Sequence, residues 1–174
     1  MDWPVAVSVV LVAALLLFAA WNDVATRLIP DCIPLGVACI GALVRLKTGF
    51  VALGMSAGLA LAVFALLAFA HARGALGGGD VKLAAAVCLG LSPPQVWRFV
   101  VVTALAGGVL AVLHLIARRL LRGVAPLPPR GRVTFLPLRV LRAERWRIAR
   151  HGSLSYGVAI AFGGIWALLD SRGF

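Results

Sequence analysis

The chain has 174 residues, 62% of them hydrophobic and only six acidic, with a mean hydropathy of +1.02. So little charge cannot cover a water-facing surface, which excludes a soluble fold. In a soluble protein the formal net charge of +11 would raise nucleic acid as a partner, but here the arginines concentrate in one stretch between apolar segments, which points to membrane lipids and to no nucleic acid.

Long apolar runs broken by Pro, Gly and charge predict an all-α membrane protein with six spans, at about 3–21, 32–46, 50–71, 81–92, 95–117 and 154–169. The first run follows Met-Asp-Trp-Pro, which lacks a positive n-region, so it is expected to be a retained helix and not a cleaved signal. Pro4–Trp21 and Phe50–Ala70 approach or reach the roughly 20 apolar residues that cross a core of about 30 Å. Val81–Ser92 is short. As a helix rising about 1.5 Å per residue it covers only about 18 Å, so it is either broken or continued past Pro93. Backbone outside a helix is tolerated at membrane depth only where protein buries it or water reaches it, so the adjoining Gly77-Gly78-Gly79 run suggests a polar cavity. Arg118–Gly152 carries ten arginines, a Pro-rich centre at Pro126–Pro129, and an apolar-basic run, Leu136–Arg150, suited to the interface. The chain reads as a single membrane-embedded domain, 1–174, with 118–152 a basic loop within it.

Six spans put both termini on one side and the loops at 22–31, 72–80 and 118–153 on the other. That second side holds Arg27, Arg73, Lys82 at its edge and the ten loop arginines, thirteen in all, against four (Arg45, Lys47, Arg98 and Arg172). By the positive-inside rule the second side is cytoplasmic and the termini are outside.

This topology sorts the acids. Asp2 and Asp170 fall at the outer ends and Glu144 lies among loop arginines, while Asp23, Asp31 and Asp80 sit near cytoplasmic span ends. Asp31 follows Pro30 and precedes an apolar run, the place of a helix N-cap carboxylate. Asp23 ends the first run, where the helix dipole opposes its charge, and its plain structural explanation is a solvated residue paired with Arg27 at i+4. For Asp80 the plain explanation is again an N-cap, with Lys82 close by. The three glycines before it help no helix, but they let another backbone approach or let the chain take positive φ.

Together Asp23 and Asp80 offer a chemistry. Peptide hydrolysis without a metal or a covalent nucleophile can use two carboxylates that share one proton: one deprotonates water, the other protonates or hydrogen-bonds the scissile carbonyl. Ser92, Ser153 and Ser155 have no evident histidine and acid partners for a triad. His71, His114 and His151 lack a ligand spacing such as HExxH. Cys32, Cys39 and Cys88 form no CxxC and are expected to be small buried hydrophobes, so neither a metal nor a cofactor is expected. The same two aspartates would also serve a non-enzymatic transporter subunit or scaffold that binds an ion or proton.

Asp23-x-x-x-Arg27-x-Ile29-Pro30 after the first span, Gly77-Gly78-Gly79-Asp80-Val81-Lys82 after the third, and Tyr156-Gly157-Val158-Ala159-Ile160-Ala161 in the last resemble the type IV prepilin peptidases, in that family's order. The family's GxGD element maps to Gly77, Gly79 and Asp80. The resemblance implies an aspartic endopeptidase of the bacterial inner membrane that removes the short basic leader of prepilins or pseudopilins at the cytoplasmic face. Asp23 and Asp80 would be its catalytic aspartates, and Arg27, Pro30 and Lys82 structural or electrostatic support. The chain has neither the methylase insertion nor the paired CxxC of larger members, and looks like the short branch associated with tight-adherence pili. It departs from the family at Asp31, where Asn is frequent, and at Leu154-Ser155, where a Pro is common. A preflagellin peptidase is the neighbouring alternative.

Overall fold

The structure, a computed structural model, describes residues 3–120 and 155–170; the Leu136–Arg150 run, Glu144 and Ser153 lie outside the described residues. Within them the chain forms α1 (Trp3–Thr26), α2 (Cys32–Thr48), α3 (Phe50–Ala72), α4 (Gly78–Gly90), α5 (Pro93–Leu120) and α6 (Gly157–Leu169), with no strand. These six helices coincide with the six predicted runs. Only α1, α3 and α5, of 24, 23 and 28 residues, are long and apolar enough to cross a membrane. The helices α2, α4 and α6 have 17, 13 and 13 residues.

The apolar side chains face outward as much as inward. Along α3 only Ser56 and Ala60 are buried, while Leu61, Leu66 and Phe69 stand exposed, as do Trp97 and Leu105 on α5 and Leu11 and Leu17 on α1. Such belts would aggregate in water and are the lipid-facing surface of a membrane protein.

The short helix α4 is the hub, packed against α2, α3 and α6. Its Leu83, Ala84, Ala86, Val87 and Cys88 form the core with Leu16 and Ala19 of α1, Val37 of α2, Phe99 of α5 and Ile160 of α6. Between apolar helices in lipid the attraction comes from close packing, which small residues permit. A Cβ added to Gly41 would lie 2.8 Å from the Cα of Gly90, so the α2 and α4 backbones touch there.

Val81–Ser92 does not continue past Pro93 as one helix. The helix stops at Gly90, Leu91 is extended (φ −99°, ψ 151°), and α5 starts at once with Pro93, the position where a missing N–H costs nothing. A helix break away from water needs partners for its polar groups, and several of them have one. Ser56 donates to the Leu91 carbonyl at 2.8 Å and accepts from Arg45 Nε at 2.8 Å, while Gln95 Oε1 accepts from both the amide and the hydroxyl of Ser92. Among the cysteines only Cys88 is buried; Cys32 and Cys39 are exposed, so for these two the expected burial is corrected. They lie on faces of α2 that the other helices leave uncovered.

Candidate active site

Three chain segments converge at one end of the bundle: the end of α1, the glycine run before α4, and the start of α6. Helix α1 closes on Arg27, which takes the left-handed conformation (φ 61°) and returns its N–H to the Asp23 carbonyl at 3.0 Å. This C-terminal cap is usually a glycine's, and for a side chain it costs about 1–2 kcal/mol. The chain then turns so that Ile29 lies against α4, where a Cβ on Gly79 would sit 3.1 Å from the Ile29 Cβ. Two of the sequence motifs thus meet through one isoleucine and one glycine.

Asp23 is buried, with 6% of its surface exposed. Its side chain is held by α6: Oδ2 accepts from the Ser155 hydroxyl at 2.5 Å and from the Gly157 amide at 2.9 Å. Gly157 opens α6, so its amide is one of the donors a helix start leaves without an intrahelical partner, and the positive end of the α6 dipole favours a carboxylate there. The unfavourable end of α1 is thereby offset. Only glycine fits at 157, because a Cβ would lie 2.8 Å from Asp23 Oδ2 and 3.0 Å from its Cβ.

Asp80 is equally buried, 7% exposed, but it is not the N-cap. Gly77 holds that position (φ −73°, ψ 143°), and Asp80 is the third residue of α4. Its carboxylate reaches back to the Gly77 N–H, and Oδ2 leaves so little room that a Cβ at 77 would be 3.0 Å away. Asp80 Oδ1 is buried and has no hydrogen-bond partner among the described residues. Gly77, Gly78 and Gly79 do not take positive φ; that conformation falls at Gly74 (φ 74°). They serve by close approach, and Gly78, the variable position of the element, would meet only the His71 ring, at 3.5 Å.

Asp23, Arg27, Asp31 and Asp80 line one open cavity of about 510 Å³, together with the 74–79 segment and Tyr156. The Asp23 and Asp80 carboxylates lie near enough to repel each other, and Arg27 offsets part of that repulsion. A second cavity, of about 160 Å³, opens between α3 and α5 on the other side of Asp80. It is lined by Leu66, Leu67, Phe99, Val100 and Ile160 and shares Leu76, Asp80 and Tyr156 with the first. Asp80 and Tyr156 therefore stand where a polar space and an apolar one meet.

Of the other expected residues, Asp31 also lines this cavity, at its exposed rim, while Lys82 and Pro30 do not. Asp31 occupies the N-cap position of α2 but makes no capping bond; its carboxylate pairs with Lys82 at 2.7 Å, both side chains being exposed. Lys82, two residues past Asp80, points off the cavity and ties α2 to α4. Pro30 is exposed and contributes its carbonyl to the first turn of α2, accepting from Ile33 N at 3.0 Å. Two residues that the sequence reading set aside have roles here. Ser155 does have an acid partner, across the bundle. His71 Nδ1 lies 2.7 Å from the Leu76 carbonyl, which can only accept, so His71 donates and fastens the segment that leads into the glycine run.

No curated protein and no solved structure matches the chain. Residues 10–112 match the model of the type IV leader peptidase family, a stretch that holds Asp23, Arg27, the glycine run and Asp80 and ends before the Tyr156-Gly157 segment. With more than half of its length covered by that match, and with the all-helical membrane architecture described above, the chain belongs to the type IV leader peptidase family.

Proposed function

We propose that this peptidase is an aspartic endopeptidase that removes the N-terminal leader from type IV prepilins or pseudopilins at the cytoplasmic face of the bacterial inner membrane. Its catalytic groups are Asp23 and Asp80. The observation that carries the reading is that two carboxylates from different helices, each more than nine-tenths buried, line the same cavity. Burial of two like charges is unfavourable unless one proton is shared between them, and that sharing is the state in which a carboxylate pair hydrolyses an amide. One carboxylate takes a proton from water as its oxygen attacks the scissile carbonyl carbon, and the other gives its proton to the carbonyl oxygen. When the tetrahedral centre collapses, the amine nitrogen takes a proton and the C–N bond breaks.

The paired cavities support the substrate class. A short basic leader reaches the site from the aqueous side while the rest of a membrane-embedded substrate lies in the bilayer; the polar and apolar spaces on either side of Asp80 suit such a substrate. The excess of Lys and Arg that the sequence assigns to the loops at 22–31, 72–80 and 118–153 supports the cytoplasmic side. The test is co-expression with a tight-adherence prepilin and mass measurement of the product. Loss of the leader is expected, with no methyl group added. Cleavage of a preflagellin in preference would reassign the substrate, and a wild-type protein that cuts neither would overturn the reading.

A further inference from the structure

We infer that Ser155 is a positioning residue for Asp23: it fixes which carboxylate oxygen stays available to water, an inference that rests on the dyad proposed above. A carboxylate on a terminal helical turn can exchange its two oxygens by rotation about χ2, a broad and nearly two-fold torsion. In this protein both donors fall on the same oxygen, with Ser155 Oγ at 2.5 Å and the Gly157 amide at 2.9 Å from Oδ2. An ionised carboxylate can only accept, so the hydroxyl must donate, and a hydrogen bond of this length to a charged acceptor is among the stronger kinds.

The two donors do different things. Gly157 presents a backbone amide, which fixes where Asp23 sits relative to α6. Ser155 precedes the helix and brings its hydroxyl to the same oxygen, which resists rotation of the carboxylate about the amide contact. Ser155 is not among the residues that line the cavity holding Asp23 and Asp80, so it acts through Asp23 and not on the substrate. A dyad works only if the oxygen facing the attacking water is the basic one, and with Oδ2 engaged twice that oxygen is Oδ1.

The experiment compares wild-type, Ser155→Ala and Ser155→Thr proteins purified in detergent, with two readouts. For cleavage of a leader-bearing precursor, Ser155→Ala should lower kcat about tenfold, the lower end of the effect of losing a hydrogen bond to a charged group, with KM held within about twofold. Ser155→Thr keeps the hydroxyl and should restore most of kcat. An unchanged kcat in Ser155→Ala, a change confined to KM, or an equal loss in both variants would overturn the inference. The second readout needs no substrate. An oxygen relieved of a donor is more nucleophilic, so carbodiimide modification of Asp23, followed by peptide mass spectrometry, should be several-fold faster in Ser155→Ala than in wild type or Ser155→Thr. Equal rates would overturn it. If wild type cut no precursor while the labelling contrast held, the substrate reading would fall and the positioning of Asp23 would stand.

Discussion

Asp23, Asp31 and Asp80 carry the same functional group and differ only in what surrounds them. All three line one cavity, but Asp23 and Asp80 are buried in it, whereas Asp31 is exposed and pairs with Lys82. Exposed ion pairs are worth about 0–1 kcal/mol, so Asp31→Asn should retain most activity. The tolerance rests on this solvent-exposed pair, since Asp31 makes no capping bond. Asp23→Asn and Asp80→Asn should each abolish cleavage while the protein still inserts and accumulates, because Asn keeps the volume but can neither take the proton from water nor return one. Members of one catalytic unit fail together, so the double variant should match the singles. Immunoblots of precursor and mature pilin beside the peptidase decide it: an inactive Asp31→Asn with an active Asp23→Asn would show the pair to be misassigned.

At the scale of elements, the site depends on how closely α4 can approach its neighbours. Gly41 and Gly90 bring the α2 and α4 backbones into contact, so Gly41→Ala must push the two helices apart and shift the start of α4, where Asp80 sits. Gly54 on α3 has nothing within 4 Å of an added Cβ. There alanine only improves helix propensity, by about 1 kcal/mol. Thermal unfolding in detergent should therefore show Gly41→Ala melting several degrees below wild type, by the usual conversion of about 1–2 kcal/mol in a chain of this size, and Gly54→Ala at or above it. The reverse order would mean that the contact between α2 and α4 does not hold the bundle together.

For the whole molecule, charge gathers at two ends of the bundle with apolar helices between. The aspartate cavity and the Asp31–Lys82 pair mark one end. The Arg45–Ser56 contact and the Arg98–Asp170 pair mark the other. By the sequence count the side to which the 22–31 and 72–80 loops belong carries the excess of Lys and Arg, so the aspartate end is expected in the cytoplasm. Single cysteines at Thr26 and Gly131, in a background without Cys32, Cys39 and Cys88, should react with an impermeant maleimide only after the inner membrane is breached. Labelling of either from the periplasm of intact cells would invert the orientation.

What the sequence determined by itself was the part of the physics that is local or compositional. Membrane residence, the place of every helix among the described residues, the weakness of Val81–Ser92 as a span, and the two aspartates worth pairing all follow from hydropathy, helix length and the cost of glycine near a helix start. The tertiary structure decided what depends on chain segments far apart meeting. That α6 supplies the donors for Asp23 could not be read from residues 1–30, because a helix end cannot show which other helix start faces it. Ser155 resembled any serine at the edge of a span until Asp23 was placed 2.5 Å from it, and Lys82 appeared to belong to Asp80 until helical geometry turned it toward Asp31. The break at Leu91 needed Ser56 and Gln95 to satisfy it, partners chosen by packing in three dimensions and left unmarked by any local pattern.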